Sequence, residues 1–211
     1  MIDLKTEAKG IPLANAVRSL SCALRAKDIY TAAHNRRVSH YATELARATG
    51  LGADSLAAIK MGGELHDVGK IGVADAVLLK STRLTPAEFR EIQRHSELGH
   101  TICKPLRLPP LVKSIIRHHH ERLDGSGYPD GLKTTQIPLE VQIIALADLF
   151  DALRTSRVYR AALPWDQVAE TIHDEATRGL HDRCLAEEFI RMTASWPAPG
   201  DPRKKGDILD F

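Results

Sequence analysis

One stretch decides the fold of this chain: Gly63-Glu64-Leu65-His66-Asp67-Val68-Gly69-Lys70-Ile71-Gly72-Val73. His66 offers a neutral nitrogen ligand, and the adjacent Asp67 carries two oxygens that can bridge a pair of cations. Gly69 and Gly72 predict a sharp turn of the backbone that leaves Lys70 beside the same centre. A bare His-Asp pair is weak evidence, because most such pairs lie on a surface, so its meaning depends on the rest of the chain.

The composition favours a soluble globular domain. With 211 residues the chain can bury a sizeable core, and with 43% hydrophobic but only 5% aromatic residues that core must consist mainly of Leu, Ile, Val and Ala. The net charge of +2 arises from acids and bases mixed along the chain. This gives no argument for binding a nucleic-acid polymer or a membrane.

Cysteine usage and the N-terminus predict a cytoplasmic protein. Cys22, Cys103 and Cys184 are odd in number and far apart, which suits a reducing compartment rather than a disulfide framework. No signal-peptide pattern and no apolar run of membrane-spanning length is present in the sequence. Ten histidines are the compositional oddity.

Helical periodicity dominates the chain and predicts an all-α fold, a single helical bundle domain. Thr31 is expected to cap the second helix and Asp54 the third, which leads to His66-Asp67; Thr85-Pro86-Ala87-Glu88 reads as a capping box. The other predicted helices cover 11–29, 111–120, the segments opened by Pro138 and by Pro164, and about 182–193. The expected divisions are an N-terminal helical extension at 1–29, the bundle at 30–194 and a loose tail at 195–211.

Several polar residues interrupt the apolar faces of these helices. His34 lies four residues before Val38 and so points inward, whereas His40 lies on the outer face of the same helix. His95 follows Ile92 by three residues on the inner face of the predicted fourth helix. The polar side chains expected to face the interior are His34, His66, Asp67, His95, His119, His120 and Asp148.

Taken singly, each of these residues has a plain structural explanation. One inward histidine is more often a hydrogen-bonded core residue than a ligand, and Asp148 could pair with an arginine. Together they indicate a metal centre, because buried carboxylates are normally paired or metal-bound. The mixed nitrogen and oxygen set suits iron, manganese or zinc, and seven ligands fit two ions bridged by Asp67. Two metals about 3.5–4 Å apart are a common device for in-line attack on phosphate esters.

Two stretches resemble the motifs of a known family. His66-Asp67-Val68-Gly69-Lys70-Ile71-Gly72-Val73 resembles the HD motif, and His119-His120-Glu121-Arg122-Leu123-Asp124-Gly125-Ser126-Gly127-Tyr128-Pro129 resembles the extended GYP motif. The chain is therefore similar to the HD-GYP branch of the HD phosphohydrolases, from about Tyr30 to Phe189. The family's C-terminal Phe-Asp-Pro stands here as His181-Asp182-Arg183, which puts the last helix in doubt.

The resemblance implies a bacterial phosphodiesterase that hydrolyses cyclic di-GMP to pGpG, and in some members on to GMP, by a metal-bridging hydroxide. It assigns His34, His66 and Asp148 to one divalent ion, His95, His119 and His120 to the other, and Asp67 to both. Iron or manganese is expected first, with zinc, nickel and magnesium as further candidates. Members with a third metal carry a Glu four residues before the first ligand, where this chain has Tyr30, so two metals are expected.

Substrate contacts are implied less specifically. Lys70 is expected to donate a hydrogen bond to the phosphate as negative charge builds on it. Lys70 and Asp67 are therefore the expected catalytic residues. Arg157 and Arg160 resemble the family's phosphate-contacting pair, with a solvated face as the alternative. The GYP-loop residues expected at the site are Asp124, Gly125, Gly127, Tyr128 and Pro129. Tyr128 could stack on a guanine, dock a partner protein or simply form a tight turn.

Other functions stay open at this point. HD-GYP domains are known to contact GGDEF-type cyclases, so a GGDEF-domain protein is a candidate partner of a catalytically weak signalling module. A second alternative is another HD phosphohydrolase that acts on a nucleotide monophosphate or triphosphate, and the GYP loop argues against it. The related signal 3′,3′-cyclic GMP-AMP is an alternative substrate, since no residue is seen to read the second base. A homodimer is compatible with the sequence.

Overall fold

This computed structural model describes residues 12–156 and 161–196, and within these ranges the chain forms helices and loops but no strand. The α-helices, in chain order, are α1 Leu13–Lys27, α2 Ile29–Ala48, α3 Ala53–Leu65, α4 Asp75–Leu78, α5 Pro86–Gln93, α6 His95–Cys103, α7 Pro110–His118, α8 Leu139–Arg154, α9 Trp165–Thr177 and α10 Arg183–Thr193. Short 3-10 helices cover Val68–Gly72 and Thr134–Gln136. The all-α prediction is confirmed. No helix in these ranges combines the length and apolar character needed to cross a membrane.

The helix starts differ from prediction at two places. Asp28, not Thr31, caps α2: its carboxylate accepts the Tyr30 N–H at 2.9 Å and the Thr31 hydroxyl at 2.6 Å. The two carboxylate oxygens serve one donor each, and the helix starts three residues earlier than Thr31 suggests. The prediction that Asp54 caps α3 is also wrong, because Gly52 holds the N-cap position. The capping box at Thr85 is confirmed.

The helix predicted to carry both Phe89 and His95 is broken into two. Arg94 forms the junction between α5 and α6. Phe89 on α5 is 49% exposed, whereas His95 is 1% exposed. No residue of α5 is buried, so only α6 contributes to the interior.

Two groups of buried side chains form the core. One joins α2, α8, α9 and α10 through residues such as Leu45, Ile144 and Phe189. The other joins α1, α3, α7 and the 3-10 helix Val68–Gly72 through residues that include Leu65 and Ile116. Helix α8 is buried on almost every side from residue 143 to 147 and so lies at the centre of the core.

Glycines allow the elements around the His-Asp stretch to approach closely. A Cβ on Gly69 would lie 1.8 Å from the His95 carbonyl oxygen, and one on Gly63 would lie 2.6 Å from Ser39 Cα. Gly69 is not one of the glycines with positive φ, which are Gly50, Gly125, Gly131 and Gly179. The expected sharp turn is therefore not its reason: Gly69 is needed because a side chain would displace α6.

Candidate metal centre

Side chains from five segments converge between the two core groups. They form three sets of ligand atoms, each set lying within 4.8 Å of one another: His34, His66 and Asp148; His95, His119 and His120; and His66, Asp67 and His119. The structure thus brings together all seven residues expected to face the interior. Whether they bind metal stays a prediction at this point. Tyr30, in the position of the family's extra ligand, is 74% exposed and belongs to none of these sets.

Asp67 lies between the two triads of ligands. Its Oδ2 is 3.5 Å from His66 Nε2 and 3.8 Å from His34 Nε2. Its Oδ1 is 3.3 Å from His95 Nε2 on the other side. The two oxygens of one carboxylate therefore face two nitrogen clusters, which is the arrangement that a bridging ligand requires.

The histidine rings are oriented by backbone carbonyls behind them. The Nδ1 of His66 lies 2.8 Å from the Gly63 oxygen, and that of His95 lies 2.7 Å from the Ile92 oxygen. His119 Nδ1 lies 3.1 Å from the Ile116 oxygen. A carbonyl only accepts, so each Nδ1 carries the proton and donates it. Each Nε2 then presents a lone pair to the centre, as metal-binding histidines do.

Contacts within the protein leave the Nε2 atoms of three histidines without suitable hydrogen-bond partners. His66 Nε2 is buried and has no hydrogen-bond partner. His95 Nε2 and His119 Nε2 lie 3.1 Å apart, although the proton of each ring is already on Nδ1. Two facing lone pairs repel, and a buried nitrogen without a partner is costly. A divalent ion would satisfy all three nitrogens, so the residues fit the implied metals.

His34 is held differently from the other histidines. Its Nδ1 lies 2.6 Å from Asp151 Oδ2, and its Nε2 lies 3.0 Å from Asp148 Oδ1. Burial opposes protonation, but the hydrogen bonds to Asp148 and Asp151 outweigh it and raise the pKa of His34 to about 9. Arg37 supports Asp151 through two contacts of 2.6 and 3.0 Å.

The other histidines are kept neutral and the carboxylates are kept ionised. Burial lowers the pKa of His95 to about 4 and that of His120 to about 3, and it also lowers the pKa values of His66 and His119. Burial opposes ionisation of Asp67, yet Lys70 and the neighbouring histidines hold its pKa well below the usual value. Neutral nitrogens and charged oxygens are the forms that bind metals.

Lys70 and the GYP loop border the centre. Lys70 Nζ lies 2.7 Å from Asp67 Oδ2, and its side chain is 21% exposed. The Tyr128 ring stacks on His120 with centroids 4.7 Å apart and an interplanar angle of 30°, and a cis peptide bond joins it to Pro129. Asp124, Gly125 and Gly127 precede Tyr128 in the same loop. The expected substrate contacts Arg157 and Arg160 lie outside the described residues.

Two acidic side chains matter here that sequence reasoning did not assign a role. Asp151 orients His34, and a signal existed, because Asp151 lies one helical turn after Asp148 on the same face of α8. Glu121 is buried and accepts backbone N–H groups of the GYP loop. It follows the end of α7, so helical periodicity could not orient it.

Comparisons with known proteins identify the family of this chain. The family model described as "HD domain" matches residues 19–185. The cyclic di-GMP phosphodiesterase response regulator RpfG of Xanthomonas campestris is 39% identical over 79% of this chain and 44% of that protein. The 3′3′-cGAMP-specific phosphodiesterase 2 of Vibrio cholerae is 35% identical over 93% of this chain and 38% of that protein. This chain thus spans less than half the length of these two relatives.

A solved structure supports the fold. Bd1817, described as a HDG"Y"P protein from Bdellovibrio bacteriovorus, matches with a TM-score of 0.64 at 19% identity, over 77% of this chain and 52% of that one. At this identity the likeness bears on the fold alone. With the family model matched across most of its length, the chain belongs to the HD domain family, as its HD and GYP motifs predict.

Proposed function

We propose that this chain is a metal-dependent phosphodiesterase that hydrolyses cyclic di-GMP to pGpG, with GMP as a further product. The observation that carries the proposal is the position of Asp67, whose two oxygens face separate histidine clusters. The name of the Xanthomonas relative, a cyclic di-GMP phosphodiesterase, supports this substrate. The neutral imidazoles of His66, His95, His119 and His120 support the metal dependence.

The proposed cofactors are two divalent ions, with iron or manganese first and zinc, nickel and magnesium as further candidates. His34, His66 and Asp148 would hold one ion, His95, His119 and His120 the other, and Asp67 both. When bound, such ions supply positive charge to the phosphate and make water more acidic. Hard carboxylate and borderline imidazole donors without thiolate fit this group of metals.

The side chains around the centre have separate tasks in this reaction. Asp67 stays ionised because its pKa is held well below the usual value, first by Lys70 among the neighbouring charges, although burial opposes this. Lys70, partly exposed beside Asp67, would donate an N–H to a phosphate oxygen as negative charge builds. Arg157, Arg160 and Tyr128 are the proposed additional substrate contacts. One face of the Tyr128 ring is covered by His120, so a base would stack on the opposite face.

The related cyclic dinucleotide 3′,3′-cyclic GMP-AMP is a second candidate substrate. The Vibrio relative that covers 93% of this chain is named a 3′3′-cGAMP-specific phosphodiesterase. Both dinucleotides present the same phosphodiester to the metal centre and differ in one base. The two substrates therefore share the same proposed chemistry and are separated by comparing their turnover.

The test uses the 211-residue chain, purified without oxygen, stripped of metal and reloaded with Mn(II) or Fe(II). We expect metal-dependent conversion of cyclic di-GMP to pGpG or GMP, with 3′,3′-cyclic GMP-AMP assayed beside it. Asp67→Asn should lower turnover by more than about a hundredfold, because it removes the shared carboxylate. His40→Gln, an exposed histidine on the outer face of α2, is the matched control and should keep full activity.

Protein that binds two ions yet leaves both dinucleotides intact would overturn the proposed activity. Three further predictions from the resemblance, a GGDEF-domain partner, a homodimer and a cytoplasmic location, stay predictions, because no contact among the described residues bears on them.

A further inference from the structure

The GYP loop, residues 121–132, folds back onto its own beginning after α7 and surrounds a buried carboxylate. Glu121 is 3% exposed. Its Oε1 accepts the N–H of Asp130 at 2.7 Å and that of Gly131 at 3.1 Å, while its Oε2 accepts the N–H of Leu132 at 3.0 Å. Gly131 has a φ of +63°, so three successive amides turn toward one point. Such a concave run of N–H groups binds anions, and here the anion is a side chain of the same loop.

The same loop contacts a side chain of the metal centre. Tyr128 stacks on His120 at 4.7 Å between centroids, and its N–H donates to the His120 carbonyl at 3.3 Å. A Cβ on Gly127 would lie 2.4 Å from Glu121 Cα, so the loop backbone passes directly over the carboxylate's own residue. Glu121 therefore holds one end of a loop whose middle covers the outer face of His120.

We propose that Glu121 is a positioning residue for the second metal triad. By binding the three amides it fixes the loop, the loop fixes Tyr128, and Tyr128 keeps the His120 ring directed at the ion that His95 and His119 share. This inference rests on the proposed function, since it assigns a task toward the proposed metals. The hydrogen bonds of the Glu121 carboxylate go to amides of the loop, so it acts on the metal ligand through the loop.

A carboxylate is required in this place rather than an amide of the same shape. Each oxygen of Glu121 accepts from a backbone donor, and neither oxygen can be replaced by an NH₂ group without two donors facing each other. A buried N–H left without an acceptor costs about 1–3 kcal/mol. Glu121→Gln therefore removes the negative charge and one of the two acceptor oxygens while keeping the volume of the side chain.

A second, weaker attachment of the loop provides a matched control. The Asp130 side chain pairs with Arg117 at 2.7 Å and with His118 at 2.9 Å, and its own side chain is 35% exposed. Arg117 reaches both carboxylate oxygens, but the pair is exposed and screened by solvent, so it contributes less than the buried Glu121 contacts. Asp130→Asn removes a carboxylate from the same loop while leaving the backbone N–H that Glu121 accepts.

The experiment titrates Mn(II) into the metal-free full chain and follows heat and the EPR signal of bound manganese. Glu121→Gln should bind one ion as the wild type does and the second about 10–100-fold more weakly, the usual effect of losing support for a ligand. Hydrogen exchange at Asp130, Gly131 and Leu132 should accelerate in the same variant. Asp130→Asn should leave both affinities within about threefold of wild type.

A second variant keeps the test decisive if Glu121→Gln does not fold. Tyr128→Leu retains the bound carboxylate but removes the ring from His120, and it should weaken the same ion selectively. The inference is overturned if folded Glu121→Gln, or in its absence Tyr128→Leu, binds both ions with wild-type affinity. Wild-type protein that binds two ions without turnover would overturn the proposed function and leave this inference standing.

Discussion

His95 and His119 point their Nε2 atoms at each other across 3.1 Å, although each ring has its proton on the opposite nitrogen. Neither nitrogen can donate to the other, so this contact is unfavourable in the metal-free chain. Burial also lowers the pKa of both rings, which disfavours relief by protonation. The arrangement is therefore kept by the surrounding fold and made favourable by a cation.

The first prediction is that metal stabilises this protein strongly. At a free Mn(II) concentration of 100 times the dissociation constant, one bound ion should add about 2.7 kcal/mol to the free energy of unfolding. Thermal unfolding with excess Mn(II) and with EDTA measures the difference. His119→Ala should lose most of the stabilisation by Mn(II). His118→Ala should keep it, because the neighbouring His118 side chain is directed at Asp130. Equal shifts in the two variants would contradict the assignment.

The second prediction concerns the support of His34. Asp151→Asn should weaken the ion held by His34, His66 and Asp148 by about 10–100-fold, because an amide orients the imidazole less strongly than a carboxylate. It should also lower the free energy of unfolding by about 3 kcal/mol, since the largely buried Arg37 loses its partner. Metal titration and urea unfolding measure the two effects.

The control for Asp151→Asn lies on the same helix as Arg37. Arg47 is exposed, and its ion pair among the described residues is with Glu44, so Arg47→Ala should change the free energy of unfolding by no more than about 0.5 kcal/mol. Wild-type metal affinity in Asp151→Asn would show that His34 is oriented without this carboxylate.

Convergence of the polar side chains could be predicted because His34, His95 and Asp148 interrupt apolar helical faces, where position along the helix fixes direction. His119 and His120 lie just past the end of α7 and continue the direction of its buried face. His34 and Asp148 are clear examples, since each continues a row of buried residues. Asp28 and Thr31 are both common N-cap residue types, and the backbone of the structure assigns the cap to Asp28.

What lies outside helical periodicity could not be predicted in the same way. Glu121 follows the end of α7, and its orientation depends on a loop that returns from residues 130–132. The break at Arg94 also left no pattern, because Phe89 and Ile92 mimic one continuous apolar face although α5 buries no residue. These contacts form only when distant segments meet.

The third prediction concerns the close approach of Gly69 and α6. Gly69→Ala would place a Cβ 1.8 Å from the His95 oxygen and 2.5 Å from Gly99 N, both backbone atoms that cannot rotate away. Overpacking of this kind should cost about 3 kcal/mol and displace His95, so activity should fall as well. Gly52→Ala, which meets no atom within 4 Å, should change the free energy of unfolding by less than about 1 kcal/mol. Comparable losses in the two variants would refute the steric explanation.

The last prediction is a pH dependence that arises away from the metal centre. His181 is buried, and its Nε2 lies 2.8 Å from Arg122 Nη1 and 3.1 Å from Glu175 Oε2. Burial lowers the pKa of His181 below the ordinary 6.5, Arg122 lowers it further, and Glu175 only partly offsets this. As pH falls below about 6.5, His181 binds a proton in the unfolded chain but not in the folded chain. The free energy of unfolding therefore declines.

A variant without the titrating ring isolates this contribution. His181→Phe should reduce the loss of unfolding free energy between pH 7 and pH 5, by up to about 1.4 kcal/mol per pH unit for one proton. Urea unfolding at several pH values, with EDTA present throughout, gives the slope for each protein. The exposed His173 on α9 provides the control, and His173→Gln should keep the wild-type slope. If His181→Phe also keeps that slope, His181 is protonated equally in both states and the fold does not exclude its charge.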